Sequence, residues 1–267
     1  MVRLNPEPDG GLSRGLPPWG SLAALQFLTR LPVRLRAAPD MTTMVVWFPV
    51  AGLVIGGLVG GVGAAAFELV PPLVAGALAV VIGLLVTGAF HEDGLGDIAD
   101  AFGGGYTVER RLEIMKDSRH GTYGVAAMCA SIVVRVMSIG SLPSAATVFA
   151  ACIAAHVLAR AIAVGLMAAV PLAGHSGLGA DYGRSTTARR AATALVTGTA
   201  ITILVIGWWA APLLAACVAS AVLVGALARH KIGGINGDVL GACEQVAECA
   251  CVVVISALAL HHSLWWT

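Results

Sequence analysis

The sequence predicts an all-α, polytopic integral membrane protein, a bundle of about seven transmembrane helices with an interfacial helix before them. Three observations predict it. Hydrophobic residues make up 58% of the 267 residues and charged residues only 12%, where a soluble domain carries about 25% charged. Seven apolar segments approach the roughly 20 residues that a helix needs to cross about 30 Å of hydrocarbon. Lysine and arginine fall on alternate connections between those segments, as expected of loops kept on the cytoplasmic side.

The elements follow in order. Residues 1–18 carry prolines and glycines where a secretory leader would have its apolar core, so they read as a flexible cytoplasmic N-terminus. Trp19–Leu31 is too short and too polar to cross. Its Leu22, Leu25, Leu28 and Leu31 describe an amphipathic helix in the interface, ended by Pro32. It is either a surface anchor or a lid over a cytoplasm-facing pocket. The predicted spans are Val45–Phe67, Pro72–Phe90, Val125–Leu142, Ser144–Val170, Ala192–Trp209, Ala211–Ala228 and Val246–Leu264. Glu68–Pro71 and Trp209–Pro212 read as tight hairpins. The run Gly52–Gly63 holds G-x-x-x-G spacings, which suit close helix packing. It lacks the lysine of a nucleotide loop. The whole chain, residues 1–267, reads as one catalytic domain.

Charge sets the orientation. Arg3, Arg14, Arg30, Arg34 and Arg36 precede the first span. Arg110, Arg111, Lys116 and Arg119 follow the second, Arg184, Arg189 and Arg190 the fourth, and Arg229 and Lys231 the sixth. With a cytoplasmic N-terminus, all four groups share the inner side. The C-terminus then lies outside, with Trp265 and Trp266 as interface anchors. The 16 basic residues nearly balance the 15 acidic ones, so no basic excess points to nucleic acid. The six cysteines form no C-x-x-C and read as small apolar residues.

The chemistry is concentrated in Phe90–Gly105, FHEDGLGDIADAFGGG. Glu92, Asp93, Asp97 and Asp100 crowd into nine residues. If Asp93 starts a helix, Asp97 and Asp100 follow at i+4 and i+7 on one face. Nothing local neutralises them, since the first arginine after Asp100 is Arg110. A divalent cation would hold these acids together, and all-oxygen ligands favour Mg²⁺, Mn²⁺ or Ca²⁺ over zinc. His91 is either a supporting donor or a helix-end residue. In KDSRHGTYG, residues 116–124, Lys116 and Arg119 would take phosphate oxygens, and Asp117 would share the metal or orient a base. A salt-bridged turn is the plain alternative. In GGINGDVLGACEQVAE, residues 233–248, Asp238 is either a helix cap or a contributor to the site. Glu244 and Glu248, at i and i+4, are candidates for substrate contact or for a hydrogen bond within the bundle. Arg135, His156 and Arg160 lie inside apolar spans. Each should face the bundle interior or reach the interface, either snorkelling or pairing with an acid, or else binding an anionic substrate. Asp181, Arg184 and Arg190 are weaker candidates for phosphate contact. Carboxylates, a divalent cation and nearby bases together describe metal-assisted phosphoryl transfer.

QFLTRLPV (26–33), FPVAGLVIG (48–56) and the three polar blocks 90–105, 110–124 and 233–248 resemble the cobalamin synthase family, the adenosylcobinamide-GDP ribazoletransferases. The resemblance covers nearly the whole chain in order. His120 departs from it, standing where the family usually has an apolar residue. The resemblance implies a multi-pass enzyme of the prokaryotic inner membrane with its active site facing the cytoplasm. It implies Mg²⁺-dependent joining of adenosylcobinamide-GDP to alpha-ribazole or its 5′-phosphate, with release of GMP. Mn²⁺ is the alternative ion. On this resemblance Glu92, Asp93, Asp97 and Asp100 hold the metal. Glu92, Asp93, Asp97, Asp117 and Asp238 form the catalytic set, and Lys116, Arg119, Arg184, Glu244 and Glu248 contact substrate. Further partners expected are membrane lipid, a second copy of the chain and other cobalamin-assembly enzymes.

Two other readings compete. A membrane phosphotransferase of the CDP-alcohol type would carry D-x-x-D-G-x-x-A-R, and no alanine–arginine pair follows Gly94 here. A transporter would place its acids near the midplane rather than at one edge.

Overall fold

A computed structural model describes residues 19–34, 41–173 and 186–267. The expectations for residues 1–18, Asp181 and Arg184 lie outside the described residues. The described chain is helical apart from short connections and one isolated bridge between Leu172 and Ile235.

Helix α1, Trp19–Leu28, packs Gly20, Ala23, Ala24 and Leu28 inward. Of the leucine stripe, Leu28 is buried, Leu25 packs against the core, and Leu22 points outward. Small residues complete the buried face because the helix lies against Trp47, whose indole would be 2.6 Å from a Cβ on Gly20. The helix ends three residues before the predicted Leu31. The Thr29 hydroxyl donates to the Leu25 carbonyl at 2.6 Å, and the Arg30 N–H turns to the Val86 carbonyl at 2.7 Å.

After a short α2 (Met41–Met44) and a tight turn over Val45–Trp47, α3 runs Phe48–Phe67. It packs along α8, Ala145–Ala169. Gly52, Gly56 and Gly60 form the contact. A Cβ at these positions would lie 2.5, 2.7 and 2.8 Å from the carbonyl oxygens of His156, Cys152 and Phe149. The glycine run is therefore a helix-packing seam, as its spacing predicts. Helix α8 is the centre of the bundle and is buried along most of its length.

Helix α4, Pro72–Thr87, follows the predicted hairpin at Glu68–Pro71. It stops short of the predicted Phe90 because Gly88 and Ala89 both adopt left-handed backbone, with φ of 68° and 55°. Two such residues in succession turn the chain by 91° into α5, Phe90–Gly104. Helix α6, Val108–Ile114, begins where the Thr107 hydroxyl accepts the Arg110 N–H at 3.2 Å. Helix α7 is Thr122–Gly140.

Helices α9 (Ala188–Ile206) and α10 (Ala210–Ile232) form an apolar run of 45 residues. Gly207, with φ 62° and ψ −133°, breaks it. Near the start of α9, Leu195 packs on Gly165. Near the end of α10, Gly225 packs on Leu166. Both contacts lie at the same end of α8, so the chain reverses at Gly207. The C-terminal tail seals this turn. The Trp266 indole donates to the Val205 carbonyl at 2.8 Å, and the Trp265 ring covers Gly207.

Helix α11, Gly237–Ala259, starts at residue 237 instead of the predicted 246. The Asn236 side chain caps it by accepting the Val239 N–H at 3.0 Å. Its first turns are polar by sequence yet helical, with Glu244 and Glu248 paired inside the bundle. Five helical runs are long and apolar enough to cross a membrane, and α4 with α5 makes a sixth across the bend. The protein is a helical polytopic membrane protein.

Candidate active site

Helix α5 carries Asp93 and Asp97 one turn apart, and the segment entering α7 carries His120. Each offers one ligand atom, and these atoms lie within 4.8 Å of one another. The His120 Nε2 is 3.3 Å from Asp93 Oδ1, and its Nδ1 is 3.6 Å from Asp97 Oδ1. The Asp93 side chain is 64% exposed and that of Asp97 13%, so the group opens to solvent on the Asp93 side. A Cβ on Gly96 would come within 3.1 Å of the His120 ring. The glycine is what lets the imidazole lie on α5. The polar neighbour that the sequence does not reveal for these acids is thus a residue 23 positions beyond Asp97.

Gly94 does the same for α11. A Cβ there would lie 2.9 Å from the Asp238 carbonyl oxygen. This contact brings half-buried Asp238 next to the group, close enough to repel Asp93 and Asp97. The Asn236 amide donates to its carboxylate at 2.9 Å.

Two predicted ligands are engaged elsewhere. Asp100 accepts the backbone N–H groups of Gly121 at 2.6 Å and Gly124 at 2.9 Å. It caps α7, where the exposed N–H groups favour an anion. Glu92 points into the bundle and pairs with Arg135 at 2.8 Å. Neither belongs to the group formed by Asp93, Asp97 and His120.

Glu244 and Glu248 are likewise placed away from open solvent. Glu248 binds Arg135 at 3.0 Å, and both Arg160 and the His156 Nδ1 at 2.9 Å. Glu244 binds Arg160 at 2.5 Å and also pairs with His91. Three carboxylates therefore face two guanidiniums and two imidazoles between α5, α7, α8 and α11. Arg135, His156 and Arg160 face the interior and pair with acids rather than reaching the interface, which is one of the two placements that the cost of charge in lipid allows. The i, i+4 acids of α11 look into this network because α5, α7 and α8 cover that face of the helix.

Beyond Asp100 lies an open cleft of about 310 Å³, bordered by Gly104, Arg110, Glu113, Asp117, Arg119 and Tyr123. Arg119 holds Asp117 through two bonds, Nε to Oδ1 at 3.0 Å and Nη2 to Oδ2 at 2.8 Å. These bonds lower the Asp117 carboxyl to about 2. Arg110 pairs with Glu113 at 3.0 Å. Lys116 is exposed and directly precedes Asp117. Arg190 stands at the start of α9, where its N–H meets the Thr187 hydroxyl.

A model of the family described as cobalamin-5-phosphate synthase matches residues 20–256. The chain belongs to the cobalamin-5-phosphate synthase family. Proteins called adenosylcobinamide-GDP ribazoletransferase are similar to it along most of their length. That of Bradyrhizobium diazoefficiens is 40% identical over 243 residues, covering 88% of this chain and 92% of the relative. That of Chlorobaculum tepidum is 36% identical over 250 residues, covering 92% and 98%. That of Vibrio cholerae is 31% identical over 247 residues, covering 90% and 94%. No solved structure matches the chain. Membership in the cobalamin-5-phosphate synthase family makes this protein a membrane-embedded transferase of cobalamin biosynthesis.

The donors present fit a divalent cation. Asp93 and Asp97 offer hard oxygens, His120 offers a nitrogen, and Gly96 leaves room for the ring. Oxygen ligands suit Mg²⁺ and Mn²⁺, and an imidazole is compatible with the latter. Sequence reasoning missed His120. Its only signal was the departure from an apolar residue within KDSRHGTYG, since no spacing rule connects residues 93 and 97 to residue 120.

Proposed function

We propose that this protein transfers the adenosylcobinamide-phosphate group of adenosylcobinamide-GDP to alpha-ribazole or its 5′-phosphate, with Mg²⁺ or alternatively Mn²⁺ as cofactor. The observation that carries this reading is the convergence of Asp93, Asp97 and His120 beside an arginine-bordered cleft, in a chain of this family. A cation held there would supply charge neutralisation for the diphosphate and for the departing phosphate.

The chain's own residues do the rest. Asp93 and Asp97 bind the ion, and their placement one turn apart on a single helix holds them in register. Arg110, Lys116 and Arg119 bind phosphate oxygens along the cleft. Asp238 carries a carboxylate oxygen beside the group, and it accepts the proton of the attacking ribose hydroxyl, one that is free in both alpha-ribazole and its 5′-phosphate. A new bond forms between that ribose oxygen and the phosphorus on the cobinamide side. The bond from that phosphorus to the bridging oxygen breaks, and GMP leaves with the bridging oxygen.

Seven crossings, counting α4 once and the hairpin at Gly207 as two, would put residues 88–121 and 229–238 on one side of the membrane. The arginines and lysines of those connections favour the cytoplasmic side of the inner membrane. Purified protein in liposomes, given adenosylcobinamide-GDP, alpha-ribazole and Mg²⁺, is expected to release GMP and form the joined corrinoid in equal amounts. Turnover of a CDP-alcohol with none of the cobinamide substrate would overturn the reading.

A further inference from the structure

We propose that His120 is itself a metal ligand and that its imidazole makes the site prefer Mn²⁺ over Mg²⁺. This rests on the reading of the Asp93–Asp97 group as the cation site of the transfer reaction.

The position of the ring is built rather than incidental. Its Nδ1 is enclosed and has no hydrogen-bond partner. At 3.6 Å from Asp97 Oδ1 it is too far for a hydrogen bond yet close enough to share a cation with that oxygen. The ring rests on Gly96, where a Cβ would meet Nδ1 at 3.1 Å and Cε1 at 3.2 Å. The next residue, Gly121, is tied to Asp100 at 2.6 Å. Helix α5 therefore carries the two aspartates, leaves the space for the imidazole, and anchors the chain that delivers it.

The chemical consequence is selectivity. Mg²⁺ takes oxygen ligands and keeps its waters, whereas Mn²⁺ also accepts imidazole nitrogen and stands on the series in which nitrogen donors raise affinity. Two aspartates alone would treat the two ions similarly. A third, nitrogen donor strengthens binding of Mn²⁺ much more than of Mg²⁺. An apolar residue in place of His120 would leave an oxygen-only site.

The opposite role for His120 is a positively charged ring that fills the gap between the aspartates and competes with the ion. The two roles predict opposite signs. Full-length protein in detergent is titrated with Mn²⁺, and the free-ion paramagnetic signal is followed, alone and against Mg²⁺. The wild type is expected to bind Mn²⁺ at least about tenfold more tightly than Mg²⁺. His120→Ile is expected to lose about tenfold or more in Mn²⁺ affinity, with a small change for Mg²⁺. Pulsed measurements on the wild-type Mn²⁺ complex are expected to show coupling to a nitrogen nucleus, a readout that needs no variant. Absence of that coupling, or tighter Mn²⁺ binding by His120→Ile, overturns the proposal. If Asp97→Asn abolishes Mn²⁺ binding while His120→Ile leaves it unchanged, only the role of His120 fails. If Asp97→Asn also binds Mn²⁺ as the wild type does, the cation site of the transfer reaction fails with it.

Discussion

The Asp100 carboxylate accepts the Gly121 backbone N–H at 2.6 Å, and this bond couples the helix of the aspartates to the segment that carries His120. Its second oxygen takes the Gly124 N–H at 2.9 Å. The arrangement divides the acids of α5 by task. Asp93 and Asp97 face the group that can hold an ion, Asp100 builds the start of α7, and Glu92 closes the buried network through Arg135.

Asp100→Ala removes an ionised acceptor from two backbone donors. Bonds to charged groups are worth about 1.5–3 kcal/mol each, so a loss of at least that size is expected. Thermal unfolding in detergent checks it. Mn²⁺ binding by the folded fraction should weaken without vanishing, since Asp93 and Asp97 remain.

Gly56 and Gly57 are neighbours with opposite surroundings. A Cβ at Gly56 would lie 2.7 Å from backbone of α8, whereas nothing lies within 4 Å of one at Gly57. Gly56→Ala is expected to force α3 from α8 at a cost of about 1–3 kcal/mol. Gly57→Ala should be neutral or stabilising by up to about 1 kcal/mol, because alanine favours the helix. The difference in melting temperature between the two variants is the readout.

Glu248 joins Arg135, His156 and Arg160 in one buried cluster. Removing one partner of such a set leaves uncompensated charge, which costs about 3–5 kcal/mol. Glu248→Ala is therefore expected to unfold or to accumulate poorly. Arg110→Ala breaks a pair whose side chains are 63% and 65% exposed. It should change stability by less than about 1 kcal/mol, because solvent screens the pair. Unfolding curves of the two variants separate the cases.

Asp117 is held at about 2 by its bonds to Arg119. Because the folded value is depressed, the pair contributes above the unfolded value of 3.8 and is lost as the pH falls toward 2. Across the neutral range Asp117 stays ionised and is a weak proton acceptor. Asp117→Asn is expected to leave the pH profile of turnover in place and to change KM for the nucleotide substrate by freeing Arg119. A lost limb of the pH profile would make Asp117 the base instead.

Much of this architecture is legible in the chain. Apolar length marks the helices, the glycines of α3 mark the seam with α8, and the cost of charge in lipid limits Arg135 and Arg160 to the interior or the interface. What the chain conceals is contact over long separations. His120 meets Asp97 only after α6 has folded between them, and no periodicity records that meeting. The left-handed pair Gly88–Ala89 is equally hidden, since alanine gives no warning of a positive φ. Glu244 and Glu248 read as substrate contacts or as bundle hydrogen-bonders, and only their partners on α5, α7 and α8 decide for the latter.

The most direct test of the account is GMP release by the purified protein in liposomes, measured with wild type and with Asp97→Asn, before and after chelation of divalent ions. The account predicts release from adenosylcobinamide-GDP that requires alpha-ribazole, stops on chelation, returns with Mg²⁺ or Mn²⁺, and falls at least about 100-fold in the folded Asp97→Asn variant. Full turnover without a divalent ion, or undiminished turnover by Asp97→Asn, would contradict it.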